Sequence, residues 1–217
     1  MSESWPRDPA RVEELEGEDE EEEELDEPLP AAEEVEEELP RLRTSDDGQH
    51  AYGELDIPDD LNVLEGSPDG ARRGVAIVAS RFNGEITNKL LESALAELEE
   101  AGVSRAAITV MPVPGAFELP LAAMALAKTR RYACVVALGC VVRGETPHFD
   151  FIASEAASGL QLAALETGVP VAFGVLTVEN LAQAEARTGK GAEAVRSALE
   201  MADAFSQLRA SAAQTAR

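Results

Sequence analysis

The chain has 217 residues and a formal net charge of −24 at pH 7, and that charge is unevenly distributed. Residues 1–60 contain 25 Asp and Glu against 4 Arg and so carry −21, which leaves −3 on residues 61–217. Nothing resembles the basic stripe that nucleic-acid binding requires, and no apolar stretch is long enough to span a membrane, so both classes of function are excluded.

The N-terminal segment, residues 1–60, is predicted to be a disordered acidic extension. It holds an unbroken Glu run at 20–24, an acidic block at 33–38 and six prolines. Such a composition buries too little apolar surface to offset the entropy of ordering the chain. A solubilising tail is the favoured role, and a docking arm for a basic partner or cargo is the alternative. No basic region precedes an apolar run, so we predict no secretory signal and a soluble cytoplasmic protein.

From Gly74 onward, apolar runs typical of buried strands alternate with helical patterns. The predicted strands are 74–80, 107–111, 132–139 and 171–176, and the predicted helices are 85–101, 119–130, 151–167, 180–187 and 192–209. Alternating strands and helices imply right-handed crossovers and a parallel sheet covered on both faces. We therefore predict an α/β three-layer sandwich, a four-stranded parallel sheet flanked by helices, within a domain at 61–217.

The two cysteines lie on one predicted strand. Cys134 and Cys140 are six residues apart, which separates them by about 20 Å along a strand and excludes a disulfide between them. We predict two free thiols in a reducing compartment.

Ligands of such sheets bind at the carboxyl ends of the strands, so the candidate site comprises the loops at 80–84, 112–118, 140–150 and 176–180. In the first loop, Phe82 is either a lid over the core or a stacking surface for a planar ligand, and the residues leave both open. In the second, two prolines restrict the backbone. Glu118 opens the next helix, where the dipole favours a carboxylate whether or not it also binds ligand hydroxyls.

The third loop carries the most chemistry. Backbone N–H groups from Gly144 to Thr146 are suited to an anion cradle. His148 is the only histidine outside the acidic extension, and its place beside that cradle favours proton transfer over a structural role. Phe173, Arg187 and Lys190 add an aromatic ring and two cations, which periodicity alone does not assign to a site.

Five segments together resemble the 6,7-dimethyl-8-ribityllumazine synthase family: GVAIVASRFN at 74–83, PVPGAFELP at 112–120, ALGCVVRGETPHFDFIASE at 137–155, PVAFGVLT at 170–177 and RTGKGAE at 187–193. The resemblance covers residues 61–209 and includes Val63–Gly66, which matches the short leading strand of that family. It implies a flavodoxin-like fold. The implied reaction condenses 5-amino-6-(D-ribitylamino)uracil with 3,4-dihydroxy-2-butanone 4-phosphate and releases phosphate and water, with no cofactor and no metal.

The resemblance also implies residue roles. Phe82 stacks on the pyrimidinedione with Asn83 close by, and Ala116, Phe117 and Glu118 line the ribityl pocket. The backbone at Val141 and Val142, next to Cys140, reads the ring edge. Glu145 and Thr146 hold the substrate phosphate, and His148 moves protons. Phe173, Arg187 and Lys190 come from a neighbouring subunit, with Arg187 as the main cation facing the phosphate.

An assembly is implied as well, either a homopentamer or a sixty-subunit icosahedral shell, with riboflavin synthase or a basic cargo as candidate partners. Two departures from the family pattern stand out. The loop before Lys190 is several residues shorter, which leaves the role of Lys190 open, and the acidic extension is additional. Two alternatives are a non-catalytic shell or scaffold protein of the same fold and a riboflavin synthase of the archaeal type. The intact Thr146, His148 and Arg187 favour lumazine synthase.

Overall fold

Four parallel strands form a single sheet in the computed structural model, which describes residues 55–215. The strands are β1 (Val75–Ser80), β2 (Ile108–Val113), β3 (Cys134–Val142) and β4 (Val171–Val178). Their order across the sheet is β2-β1-β3-β4, with β1 and β3 in the centre. The predicted four-stranded parallel sheet is therefore confirmed. The prediction of disorder falls mostly on residues 1–54, which lie outside the described residues.

Helices cover both faces of the sheet. They are α1 (Gly84–Glu100), α2 (Leu119–Lys128), α3 (His148–Thr167), α4 (Leu181–Glu185) and α5 (Lys190–Thr215). Alternate strand residues point to opposite faces. Ile77, Val136 and Leu138 pack in one cluster with residues of α1, α4 and α5. Val78 and Val135 pack in a second cluster with residues of α2 and α3. The three predicted layers are present.

Glycines end two of the long helices. Beyond α1, Gly102 has φ of 83°, and beyond α3, Gly168 has φ of 62°. This left-handed conformation is accessible to glycine at little cost and closes the last helical turn. The helix end that the sequence predicted at residue 101 is confirmed to within one residue, since α1 ends at Glu100.

Two element boundaries differ from the prediction in a way that matters for function. β3 continues through Cys140, Val141 and Val142, because β4 pairs with it as far as Val142↔Val178. Helix α3 begins at His148 rather than Phe151. The predicted loop 140–150 is therefore wrong in extent, and the connection is only 143–147. Gly139 lies within β3 and does not interrupt it. A Cβ added at this position would lie 2.9 Å from Ser80 Oγ, so glycine allows the close packing against Ser80.

The predicted leading strand at Val63–Gly66 is also wrong for the single chain, since these residues belong to no strand. The segment lies against α5. Gln207 Nε2 donates to the Glu65 carbonyl at 2.9 Å, and the Ser67 N–H donates to Asp203 Oδ2 at 3.1 Å. A Cβ on Gly66 would lie 2.0 Å from the Glu200 carbonyl oxygen, so only glycine permits this approach. None of the helices within residues 55–215 is long and apolar enough to cross a membrane.

Candidate active site

The carboxyl edge of the sheet has a step. The β1–β3 pairing ends at Ala79↔Leu138, whereas the β3–β4 pairing continues for four more residues. The end of β3 therefore projects beyond β1 and forms a wall beside an open space. A cavity of about 870 Å³ lies there, which is within the size range of small-molecule sites. It is lined by Phe82, Asn83, Pro114, Gly115, Ala116, Phe117, Glu118, Cys140, Val141, Val142, Gly144, Thr146, His148, Phe149, Phe151 and Ile152.

The loop after β1 is held by three hydrogen bonds. The N–H of Arg81 donates to the Val113 carbonyl at 2.8 Å, and that of Phe82 donates to the Pro114 carbonyl at 3.1 Å. Asn83 adopts φ of 55° and donates from Nδ2 to the Cys140 carbonyl at 2.9 Å. The ring of Phe82 is 71 % exposed, so it does not cover the core. A fixed backbone with an exposed ring suits a stacking surface for a planar ligand.

The loop after β2 contributes an apolar patch and a carboxylate. Residues Ala116–Glu118 form one 3-10 turn, in which Ala116 is buried and Phe117 is exposed at the cavity wall. Glu118 Oε2 accepts the Gly115 N–H at 2.9 Å. An ionised carboxylate has about four acceptor positions, so this bond leaves capacity for ligand hydroxyls.

His148 is the first residue of α3 and is exposed at the cavity. The first N–H groups of a helix have no partner inside it, and the helix dipole adds a partial positive charge there. Thr146 and Gly144 line the cavity just before this helix end. The arrangement therefore places anion-binding donors, one hydroxyl and one imidazole at the same end of the cavity.

A charged network lies behind this helix end. Arg143 Nη1 donates to Asp150 Oδ1 at 3.0 Å, and Arg143 Nε contacts Glu179 Oε2 at 2.9 Å. The guanidinium also lies 4.1 Å from the centre of the Phe149 ring, a cation–π distance. Hydrogen bonds to Glu179 and then to Asp150 raise the pKa of Arg143 above its ordinary value.

Both thiols are neutral. Burial raises the pKa of Cys140, and burial raises the pKa of Cys134 to about 12 despite the nearby charge of Arg73. A thiol with a raised pKa is a poor nucleophile, so Cys140 contributes shape and apolar surface to the cavity. The two sulfurs are not bonded to each other, as predicted.

Two lining residues were missed by the sequence reasoning. Phe151 and Ile152 had been assigned to a helix and not to a site, yet both line the cavity. Because α3 begins at His148, these residues lie three and four positions further on and share its helical face. An earlier helix start would have placed them beside His148 from sequence alone.

Four predicted site residues do not line the cavity of this chain. Glu145 is exposed in the connection before α3, and Phe173 is partly exposed on the edge strand β4. Arg187 is half-buried and donates from Nη1 to the Gln183 carbonyl at 3.0 Å. Lys190 pairs with Glu193 Oε2 at 2.8 Å in the first turn of α5. Lys190 is thus partly neutralised by its own helix.

The cavity combines aromatic walls, a carboxylate, a hydroxyl and an imidazole at the carboxyl edge of a parallel sheet. Within residues 55–215 there is no group of three or more His, Cys, Asp or Glu arranged to hold a metal ion. These features define an α/β enzyme with a strand-end site for small molecules.

Residues 73–206 match the sequence profile of the 6,7-dimethyl-8-ribityllumazine synthase family. The 6,7-dimethyl-8-ribityllumazine synthase of Yersinia pestis (strain Pestoides F) is 51 % identical to this chain over 147 residues, which is 65 % of this chain and 94 % of that protein. The chain therefore belongs to the 6,7-dimethyl-8-ribityllumazine synthase family.

Proposed function

We propose that the cavity binds 5-amino-6-(D-ribitylamino)uracil and 3,4-dihydroxy-2-butanone 4-phosphate together and condenses them to 6,7-dimethyl-8-ribityllumazine, phosphate and water. Membership of the family makes the chain an enzyme of riboflavin biosynthesis. The observation that supports this use of the cavity most directly is the shared location of Phe82, Glu118 and His148 around one space.

The pyrimidine substrate fits the β1 and β2 side of the cavity. Its ring stacks on Phe82 near Asn83, its ring edge meets the backbone of Val141 and Val142 beside Cys140, and its ribityl chain lies along Ala116 and Phe117. Glu118 accepts hydrogen bonds from the ribityl hydroxyls through the positions that Gly115 leaves free. The amine is thereby fixed at one end of the cavity.

The phosphorylated ketone fits the opposite end, at the start of α3. The phosphate is held by backbone donors near Glu145 and by the Thr146 hydroxyl, close to the helix dipole. The bound amine attacks the ketone and forms an imine with loss of one water, phosphate is eliminated, and ring closure by the second amine releases another water. His148 carries protons between these steps. Since each step is intrinsically feasible, the main contribution of the enzyme is to hold two reactants in one geometry.

A neighbouring subunit completes the site in this proposal. Phe173, Arg187 and Lys190 lie away from the cavity of their own chain, so a second copy is needed to bring them to it. Exposed leucines on α2 and α3 support such an assembly, since Leu121 is 76 % exposed and Leu165 is 75 % exposed. Among the residues that the structure describes, the Arg187 guanidinium donates to the Gln183 carbonyl alone. This bond uses one of its five donors, so the others can bind a phosphate. We include in this proposal that the chain assembles as a pentamer or as a sixty-subunit shell.

The remaining parts of the proposal concern the rest of the chain. Residues 61–217 form the catalytic domain. Residues 1–60 form an acidic extension that either acts as a solubilising tail or binds a basic cargo. Riboflavin synthase, which would consume the product, is one candidate cargo. Two free thiols support a reducing compartment, so we place the protein in the cytoplasm.

Mixing the purified protein with both substrates tests the reaction, because the product is yellow and fluorescent. His148→Ala should slow product formation by about 100-fold, as expected for loss of a proton-transfer group, without changing the assembled mass. Arg187→Ala should mainly raise the KM for the phosphorylated ketone. Arg105→Ala, which removes an exposed ion pair with Glu99, is the matched control and should behave as wild type. No product from the wild-type assembly would refute the proposed reaction.

A further inference from the structure

The reaction proposed above gives no role to the side chain of Arg143, the first residue of the R-G-E-T-P-H-F segment. It follows β3 directly, and its N–H donates to the Val178 carbonyl at 2.9 Å, which fixes its backbone to β4. Its guanidinium reaches three partners: Asp150 in the first turn of α3, Glu179 after β4, and the Phe149 ring.

These contacts flank residues 144–147, the part of the connection that lies between Arg143 and His148. Arg143 stands at the start of the connection, and two of its partners, Phe149 and Asp150, stand just beyond His148 at its end. Both carboxylate oxygens of Asp150 accept from Arg143 Nη1, at 3.0 Å and 3.2 Å. A single side chain therefore joins both ends of the short segment that carries Thr146 and leads to His148. The guanidinium is planar and contacts three partners. It therefore restricts the position of that segment more than a single flexible contact would.

The network is placed to control geometry and not overall stability. The side chains of Arg143, Asp150 and Glu179 are 38 %, 60 % and 60 % exposed. Exposed ion pairs contribute little to the free energy of unfolding. Arg143 also balances two carboxylates next to the start of α3, and without it they would repel a phosphate that binds there.

We propose that Arg143 is a positioning residue that holds the 144–147 connection and His148 in the geometry that binds the phosphorylated substrate. This inference rests on the proposed function. Arg143 does not touch the substrate. It acts through the backbone donors of the connection and through the imidazole that the connection orients.

Steady-state kinetics of two Arg143 variants test the inference. Arg143→Met keeps an apolar contact with Phe149 and loses the charge, whereas Arg143→Lys keeps the charge and loses the planar fork. Both should raise the KM for the phosphorylated ketone, and the inhibition constant of inorganic phosphate, by about 10- to 100-fold, the range expected for a displaced catalytic segment. The KM for the pyrimidine should stay within twofold of wild type, because its site lies on other loops.

Arg73→Met is the matched control, since Arg73 pairs with Asp203 before β1, at the opposite edge of the sheet. It should leave both KM values unchanged. The positioning role would be overturned if Arg143→Met had the wild-type KM for the phosphorylated ketone. It would also be overturned if Arg143→Lys restored that KM fully to the wild-type value. If neither Arg143 variant folds, Asp150→Asn and Glu179→Gln serve instead, because each removes part of the network. Each should raise the KM for the phosphorylated ketone. An unchanged KM in both would also overturn the positioning role. Product formation by the wild type separates this outcome from failure of the proposed reaction.

Discussion

The side-chain amide of Asn83 donates to the backbone carbonyl of Cys140 at 2.9 Å and so joins the loop after β1 to the projecting end of β3. The two residues are far apart in sequence and lie on adjacent strand ends. Asn83 also occupies the left-handed region, with φ of 55°, which asparagine tolerates better than most residues. Asn83 thus acts with the backbone hydrogen bonds of Arg81 and Phe82 to fix the loop that carries the exposed Phe82 ring.

Asn83→Ala and Asn83→Gly should separate these two contributions. Both lose the hydrogen bond, but only alanine is strained at this φ, by about 1–2 kcal/mol. We expect both variants to raise the KM for the pyrimidine and only Asn83→Ala to lower the Tm appreciably. Calorimetry and steady-state kinetics measure the two effects. Equal Tm values for the two variants would contradict the backbone argument.

The start of α5 packs tightly on α1 and offers a matched pair of glycines. A Cβ on Gly191 would lie 2.1 Å from the Leu90 carbonyl oxygen, whereas a Cβ on Gly189 would meet nothing within 4 Å. Ser93 of α1 also accepts the Ala192 N–H at 2.9 Å. Gly191→Ala should therefore lower the free energy of unfolding by about 1–3 kcal/mol, the cost of overpacking, and Gly189→Ala should change it little. Denaturant titration of both variants measures these changes in the free energy of unfolding.

Alkaline stability should depend on Cys134. Burial raises its folded pKa from 9.0 to about 12, so between these values the unfolded thiol ionises while the folded one stays protonated. The unfolded state then binds fewer protons, and this group lowers the free energy of unfolding by roughly 1.4 kcal/mol per pH unit as pH rises. Cys134→Ala removes that slope. Parallel stability curves for wild type and variant from pH 9 to 12 would show that the thiol is not the cause.

Removing residues 1–60 should leave turnover intact. The cavity is lined by residues between Phe82 and Ile152, and the described N-terminal segment contacts α5 through Glu65 and Ser67, which the truncation keeps. We expect kcat and both KM values within about twofold of the full chain, as for changes remote from the reacting groups. A large loss of turnover in a truncated protein of unchanged assembled mass would assign the acidic extension a catalytic role.

Local patterns predicted the layers of the fold and most of the cavity. The apolar run before Ser80 and the start of α2 at Leu119 were readable because each depends on neighbouring residues. The end of β3 could not be predicted in this way, because Cys140 to Val142 form a strand only through their pairing with β4. The leading strand at Val63–Gly66 came from the family resemblance and not from a local pattern, and in the single chain this segment is held by contacts with α5.

Contacts between distant side chains were outside the reach of sequence patterns. Nothing local to Arg143 indicates that it bridges Asp150 and Glu179, and nothing local to Asn83 indicates its bond to Cys140. Phe151 and Ile152 were within reach, because helical spacing from His148 places all three on one face. Their omission followed from the late helix start in the prediction.

In the proposed assembly two neighbouring chains share each site, and mixed assemblies of two variants test this sharing. His148→Ala and Arg187→Ala chains are co-expressed at a 1:1 ratio and assayed with the phosphorylated ketone well below its KM in the Arg187→Ala variant, so that each variant is slow alone. The mixed assemblies should regain about one quarter of wild-type activity, because random neighbours place an intact His148 beside an intact Arg187 in about a quarter of the interfaces. Activity that stays at the level of the single variants, in assemblies shown to contain both chains, would mean that His148 and Arg187 do not meet across an interface.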